Sequence, residues 1–202
     1  SSDGFIYTDA NGSRLLRVAA SGGQPPASFT QLDSARGEVE HRFPEALPNG
    51  RGVLFIAVRN GGPTSFDIAV ASPETGTHTA LLRGVFVRYA KSGHLLYLTA
   101  DGSLMAVPFD QDAMVLTGEP VALASGITLR LFAAPDLTVA DDGTLMYTVG
   151  GNALSGGEPV WVGRDGLAAP VAPDWTRSAT HVAISPDGTQ LAATILDRSD
   201  GH

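Results

Sequence analysis

Five glycines recur along the chain in similar settings and at nearly constant spacing. They are Gly4, Gly50, Gly93, Gly143 and Gly188, within SSDGFIYTD, LPNGRGVLFIA, AKSGHLLYLTA, ADDGTLMYTVG and SPDGTQLAATI. Successive separations are 46, 43, 50 and 45 residues. Each copy reads as strand, tight turn, strand, because glycine accepts the positive φ that such turns require. The fullest copy spans residues 87–110, where a second turn at Asp101-Gly102 links two further apolar runs. Recurrence in this range, with about four short strands per repeat, is the signature of β-propeller blades. A single four-stranded blade cannot bury both faces, so blades stack radially on one another.

The predicted architecture is therefore all-β: a single β-propeller or part-propeller with blade segments at about 1–37, 38–84, 85–127, 128–175 and 176–202. Predicted strands in the first three segments are 5–8, 15–20 and 27–31; 44–47, 53–58, 66–71 and 78–82; then 87–89, 95–99, 104–109 and 121–124. Residues 111–120 read as a loop, 160–162 as a third strand of the fourth blade, and 181–184 with 191–196 as the opening of a fifth. Both ends of the chain then fall inside blades. The last strand joining the first three, a second copy completing the ring, and a piece of a longer protein are the three arrangements open to it. Strand edges strongly prefer to be paired, which favours a homodimer that completes the ring.

Apolar residues at 43% and charged residues at 17% suit a chain with a buried core. The net charge of −8 disfavours nucleic acid and anionic membrane surfaces as partners. No apolar run is long enough for a transmembrane helix. No signal peptide is legible, and Ser1 reads as a processed start. Cysteine is absent, which removes thiol catalysis and thiolate metal sites together.

An ordered set of short segments carries a resemblance. It begins with His41-Arg42-Phe43-Pro44, Leu47-Pro48-Asn49-Gly50 and Val53-Leu54-Phe55. Arg88-Tyr89, Ser92-Gly93-His94-Leu95, Ala106-Val107-Pro108-Phe109-Asp110 and Thr117-Gly118-Glu119-Pro120-Val121 follow. Gly143-Thr144-Leu145-Met146-Tyr147, Val160-Trp161-Val162 and Ser185-Pro186-Asp187-Gly188-Thr189 complete it. From about residue 38 to 196 the chain resembles the TolB-like, WD40-related (PD40) propellers, and most closely the propeller region C-terminal to many bacterial serine/threonine kinases. The resemblance implies a protein-interaction or ligand-sensing scaffold on the extracytoplasmic, or periplasmic, side of a bacterium, and it carries over no catalytic set. Relatives often place an acidic residue after Trp-Val, where this chain has Gly163.

Three histidines, His41, His94 and His181, fall at or near the inner side of predicted blades, where a ligand site on the ring axis would draw its side chains. Imidazoles from different blades could hold zinc or copper, but their local spacings are unrelated, and structural roles at blade entries and in a hairpin turn are the simpler expectation. Asp101, Asp141, Asp142, Asp187 and Asp200 lack the alternating ligand pattern of a calcium loop and read as turn residues. No cofactor is expected, although an axial calcium or other metal ion held by backbone carbonyls would leave no sequence mark. Ser155 lacks the Gly-x-Ser-x-Gly elbow of an α/β-hydrolase nucleophile. Strand aromatics, Phe5, Tyr7, Phe55, Tyr89, Tyr97, Phe109, Tyr147 and Trp161, are expected to pack between blades. Trp175 beside Arg177, in a loop, is a plausible anchor for a partner.

Two functions from different classes follow, beside a third reading as a fragment without independent function. The first is a non-catalytic propeller that binds a protein, peptide or small ligand, with His41, His94, His181, Trp175 and Arg177 as the ligand-binding candidates and no catalytic or metal residues assigned. The second is a propeller enzyme, of hydrolase, lactonase or lyase type, with an axial metal-dependent site.

Overall fold

The computed structural model describes residues 4–9, 13–61, 65–129, 135, 137–140, 143–149, 158–162, 167–171, 179–185 and 187–195, with the backbone alone at 148, 149, 158, 159, 179–182 and 195. These residues form five antiparallel sheets in chain order. The first holds β1 (Gly4–Thr8), β2 (Leu15–Ala19) and β3 (Ala27–Ser28). After a 3-10 turn (Ser34–Arg36), the second holds β4 (Glu38–Ala46), β5 (Val53–Arg59), β6 (Phe66–Ala71) and β7 (His78–Arg83). The third comprises β8 (Phe86–Ala90), β9 (His94–Leu98), β10 (Leu104–Asp110), β11 (Val115–Leu116) and β12 (Val121–Ala124). The fourth has β13 (Leu137–Val139), β14 (Leu145–Val149), β15 (Glu158–Val162) and β16 (Ala168–Pro170), and the fifth pairs β17 (Ala179–Ile184) with β18 (Leu191–Ile195).

Within the second and fourth sheets every strand neighbours its predecessor, the meander expected of a blade. Sheets pack face to face in sequence, the first on the second through β1 and β4, and the second on the third through β5 and β8. Among the described residues neither β17 nor β18 pairs with β1, so these residues form a partial propeller whose ring is not closed.

The second sheet is the centre of the core. Val53, Leu54, Phe55, Ile56 and Ala57 are all buried, which requires cover on both faces of β5. Leu54 and Ile56 join a cluster with Phe86, Val87, Leu95 and Leu104 of the third sheet. Val53, Phe55 and Ala57 turn the other way, onto Leu15 and Phe29. The alternation follows directly from the two-residue period of a strand.

Several expectations are corrected. Strand β4 starts at Glu38 rather than 44, placing His41 well inside a strand instead of at a blade entry. Phe43-Pro44 looks like a break in sequence, yet the pairing only shifts register there, between Arg42 and Glu45. The bulge absorbs the extra residue, with Phe43 at φ 52°, and Pro44 needs no ladder hydrogen bond at such a place. The loop 111–120 contains β11, which pairs with β10 and gives the third sheet a fifth strand. Gly50, Gly93, Gly143 and Gly188 have positive φ, whereas Gly4 lies inside β1, where an added Cβ would stand 2.6 Å from the Val18 carbonyl oxygen. Phe5 and Tyr7 are 66% and 37% exposed rather than packed between blades. They share the face of β1 opposite to Ile6, and only the Ile6 face meets the second sheet.

Candidate functional site

Three ionisable side chains converge between the first and second sheets: Glu38 and His41 of β4 and His78 at the start of β7. Strand alternation alone would put Glu38 and His41 on opposite faces, being three residues apart. A second register shift, between Glu38 and Glu40, inserts one extra residue and reverses that parity. His41 pairs with Ala57, Phe55 with Ala69 and His78 with Ala71, so all of these face the first sheet together. The alanines keep this face low and leave room for Phe55 and two imidazoles to meet above it. The His41 ring lies 4.6 Å from that of Phe55 and 5.0 Å from that of His78, and Phe55 and His78 are 5.3 Å apart.

The polar atoms form one continuous chain. Glu38 Oε2 lies 3.0 Å from His41 Nε2, 3.1 Å from His78 Nε2 and 2.8 Å from the Asp33 N–H that it accepts. On its other side, His41 Nδ1 lies 2.8 Å from Thr30 Oγ1, which accepts the Leu15 N–H at 3.2 Å. The Asp33 carboxylate caps the 3-10 turn by accepting from the Ala35 and Arg36 amides, which fixes its own N–H toward Glu38. The link from the first sheet to the second is thereby tied to β4 and β7 at once.

Burial disfavours the charged form of both Glu38 and His41, with opposite consequences. For Glu38, burial pushes the carboxyl up, but the Asp33 amide and the two imidazoles outweigh it and hold the group below its usual range. For His41, burial holds the imidazole below its usual range despite its hydrogen bond to Glu38, and the neighbouring His78 acts in the same direction. The consistent state is an ionised Glu38 accepting from a neutral His41, whose Nδ1 accepts the Thr30 hydroxyl.

This arrangement predicts acid sensitivity in the metal-free protein. Unfolded His41 takes up a proton near pH 6.5 and unfolded Glu38 near 4.5, each before its folded counterpart. Stability is therefore present at neutral pH and is lost as pH falls, first from about 6.5 downward and again below about 4.5. Urea midpoints measured from pH 7.5 to 3.5 test it, with His41→Gln removing the upper part of the decline. A midpoint independent of pH over that interval would contradict the assignment.

The remaining candidates lie elsewhere. His94 opens β9, with Nδ1 3.0 Å from the Ser92 carbonyl oxygen and 3.2 Å from its hydroxyl. It does not join His41, and among the described residues the only grouping of three or more potential ligand residues is Glu38, His41 and His78. His181 lies on β17, where only the backbone is described, and Trp175 and Arg177 fall outside the described residues, as does Ser155. Asp101 accepts from the Thr99 hydroxyl and Ser103 amide, and Asp187 from the Ser185 hydroxyl and Thr189 amide. These local bonds hold both carboxyls below the usual range. Asp141, Asp142 and Asp200 fall outside the described residues. Sequence reasoning missed Glu38, His78 and Thr30. Only the strand bulge and the lane of alanines bring them together, and neither has a sequence mark.

A cleft of about 760 Å³ opens at the same junction of sheets. Ile6 and Arg17 of the first sheet face Pro44, Ala46, Val53 and Pro73 of the second across it. A smaller cavity of about 400 Å³ lies beside His78, Asp33 and Thr77.

The stacked meanders define a TolB-like β-propeller fold. The chain is similar to TolB from Acinetobacter baumannii, with a TM-score of 0.62 and 14% identity over 98% of this chain and 47% of that one. A puromycin-hydrolyzing peptidase from Mycobacterium tuberculosis gives a TM-score of 0.57 at 13% identity, covering 97% of this chain and 37% of the peptidase. The β-propeller domain of the Trilobed protease from Pyrococcus furiosus, described as having an open velcro topology, gives 0.51 at 10% identity, covering 96% and 75%. The chain thus spans about half the length of TolB and less of the peptidase. No protein-family model matches this sequence, and no curated protein does.

Proposed function

We propose that this chain is a non-catalytic β-propeller module that holds a peptide segment or a small apolar ligand, and that it works on the extracytoplasmic side of a bacterium. The cleft between the first two sheets carries the reading. Its volume of about 760 Å³ falls within the range of roughly 300–1,000 Å³ usual for ligand sites. Its walls are mainly apolar, with Arg17, Gln24 and Glu74 as polar side chains at the lining, the mixture that combines affinity with orientation. Arg17 is held in place by a hydrogen bond to the Pro73 carbonyl oxygen at 3.1 Å, which bridges the two sheets.

The test is selection of binders from a library of extended apolar peptides, against the wild type and an Ala46→Trp variant. Ala46 is exposed on the cleft wall, so the indole fills the space without disturbing the core. Enriched peptides should bind the variant about tenfold or more weakly, a loss of roughly 1.4 kcal/mol, while His94→Ala binds as wild type. Failure to enrich any peptide, or equal binding by Ala46→Trp, removes the cleft as the site.

A further inference from the structure

We propose that Glu38, His41 and His78 form a site for a divalent transition-metal ion, zinc by preference, which clamps the first and last strands of the second sheet together. Three donor atoms, His41 Nε2, His78 Nε2 and Glu38 Oε2, already point at one another. The two nitrogens lie 3.0 and 3.1 Å from that oxygen, and the donor atoms of the three residues all lie within 4.8 Å of one another. Tetrahedral zinc with bonds of about 2.0–2.2 Å separates its ligand atoms by roughly 3.3 Å, so a modest rearrangement of the three side chains accommodates the ion.

The surroundings match a built site as well. A histidine bound through Nε2 needs a partner that accepts its Nδ1–H. For His41 that partner is Thr30 Oγ1, at 2.8 Å. Metal binding moves the imidazole hydrogen from Nε2 to Nδ1, and Thr30 changes from donor to acceptor. Its oxygen has lone pairs for both His41 and the Leu15 amide. Asp33 continues to orient Glu38 through its N–H. The Phe55 ring packs against both imidazoles, 4.6 Å from His41 and 5.3 Å from His78. His78 also lines the cavity of about 400 Å³ shared with Asp33 and Thr77, which supplies a path for the ion and a place for water as fourth ligand.

The donor set selects the ion. Two nitrogens and one carboxylate suit zinc, with cobalt, nickel and copper as competitors, whereas calcium and magnesium demand oxygen shells. The chain has no cysteine to offer an alternative soft site. The proposal does not depend on the cleft, and either can fail alone.

Calorimetric titration of chelator-treated protein with zinc chloride at pH 7.5 tests the site, with cobalt chloride followed by visible absorption as a geometric probe. One equivalent should bind, with the intense d–d absorption of four-coordinate cobalt. His78→Ala and Glu38→Gln should each weaken binding about tenfold or more, and His94→Ala should leave it unchanged. If the variants do not fold, by far-ultraviolet circular dichroism, imidazole nitrogen resonances of the wild type decide: zinc should shift those of His41 and His78 and leave His94 in place. The proposal is overturned if no equivalent binds at tens of micromolar metal, if folded His78→Ala and Glu38→Gln bind as wild type, or if the shifted ring is His94.

Discussion

Replacing Phe55 with alanine is expected to destabilise the protein by about 3–5 kcal/mol, the range for removing a fully buried phenylalanine. Phe55 is 0% exposed, at the middle of the strand that both neighbouring sheets cover. Its ring touches the apolar cluster of Leu15 and Phe29 on one side and the His41 and His78 rings on the other. Neighbours cannot close the gap cheaply. Ala57, Ala69 and Ala71 have no atoms to extend into it, and the imidazoles are fixed by their bonds to Glu38. The cavity penalty should therefore lie toward the upper end. Phe5→Ala is the matched control, since that ring is 66% exposed and its loss should change stability by about 0.5 kcal/mol or less. Urea denaturation of both variants measures the contrast. Equal midpoints for the two would mean that the first and second sheets do not close on Phe55.

Gly76→Ala should cost roughly 3 kcal/mol or more, from backbone strain and collision together. Gly76 closes the turn between β6 and β7, donating its N–H to the Ser72 carbonyl at 2.8 Å with φ at 70°. A Cβ there would sit 1.7 Å from the Phe29 carbonyl oxygen and 2.9 Å from its carbon. The obstacle is backbone, so no side-chain rotation relieves it. Either the turn retreats and carries His78 from Glu38, or residues 29–30 retreat and carry Thr30 from His41. Gly93→Ala isolates the strain alone. Gly93 has φ 81° but nothing within 4 Å of the added Cβ, so its cost should be about 1–2 kcal/mol. Thermal denaturation of the pair separates the terms, and equal losses would show that the Phe29 approach is not tight.

Much of the scaffold was legible because strands and turns are local. Leu95 and Tyr97 alternate as a half-buried strand must, and the runs at 66–71 and 121–124 match the observed strands residue for residue. Asp101-Gly102 and Asp187-Gly188 announce their turns through residue types whose backbone preferences need no distant partner. Where the reading went astray, the deciding contact was distant. The strand expected to start at Pro44 begins at Glu38, because pairing with β5 carries β4 through Phe43-Pro44 as a bulge. Phe5 and Phe55 are the same residue in similar runs. One is exposed and the other buried because a second sheet covers only one face of β1.

The site divides in the same way. His41 stood out by residue type and by its place near a blade's inner strand, but the only side-chain ligand partners weighed for it were histidines of other blades, beside a structural role at a blade entry. Its actual partners are Glu38, three residues away, and His78, on the last strand of the same sheet. The amino-acid sequence by itself determined the repeat, the turns and the all-β class, since these rest on two-residue alternation and the conformational freedom of glycine. Tertiary structure alone decided that an extra residue at a bulge would turn Glu38 toward His41, that three alanines would let His78 reach them, and that the Gly76 turn would pass close against the Phe29 backbone beside Thr30. Those outcomes depend on register and on the approach of one backbone to another, and neither is encoded by any single stretch of residues.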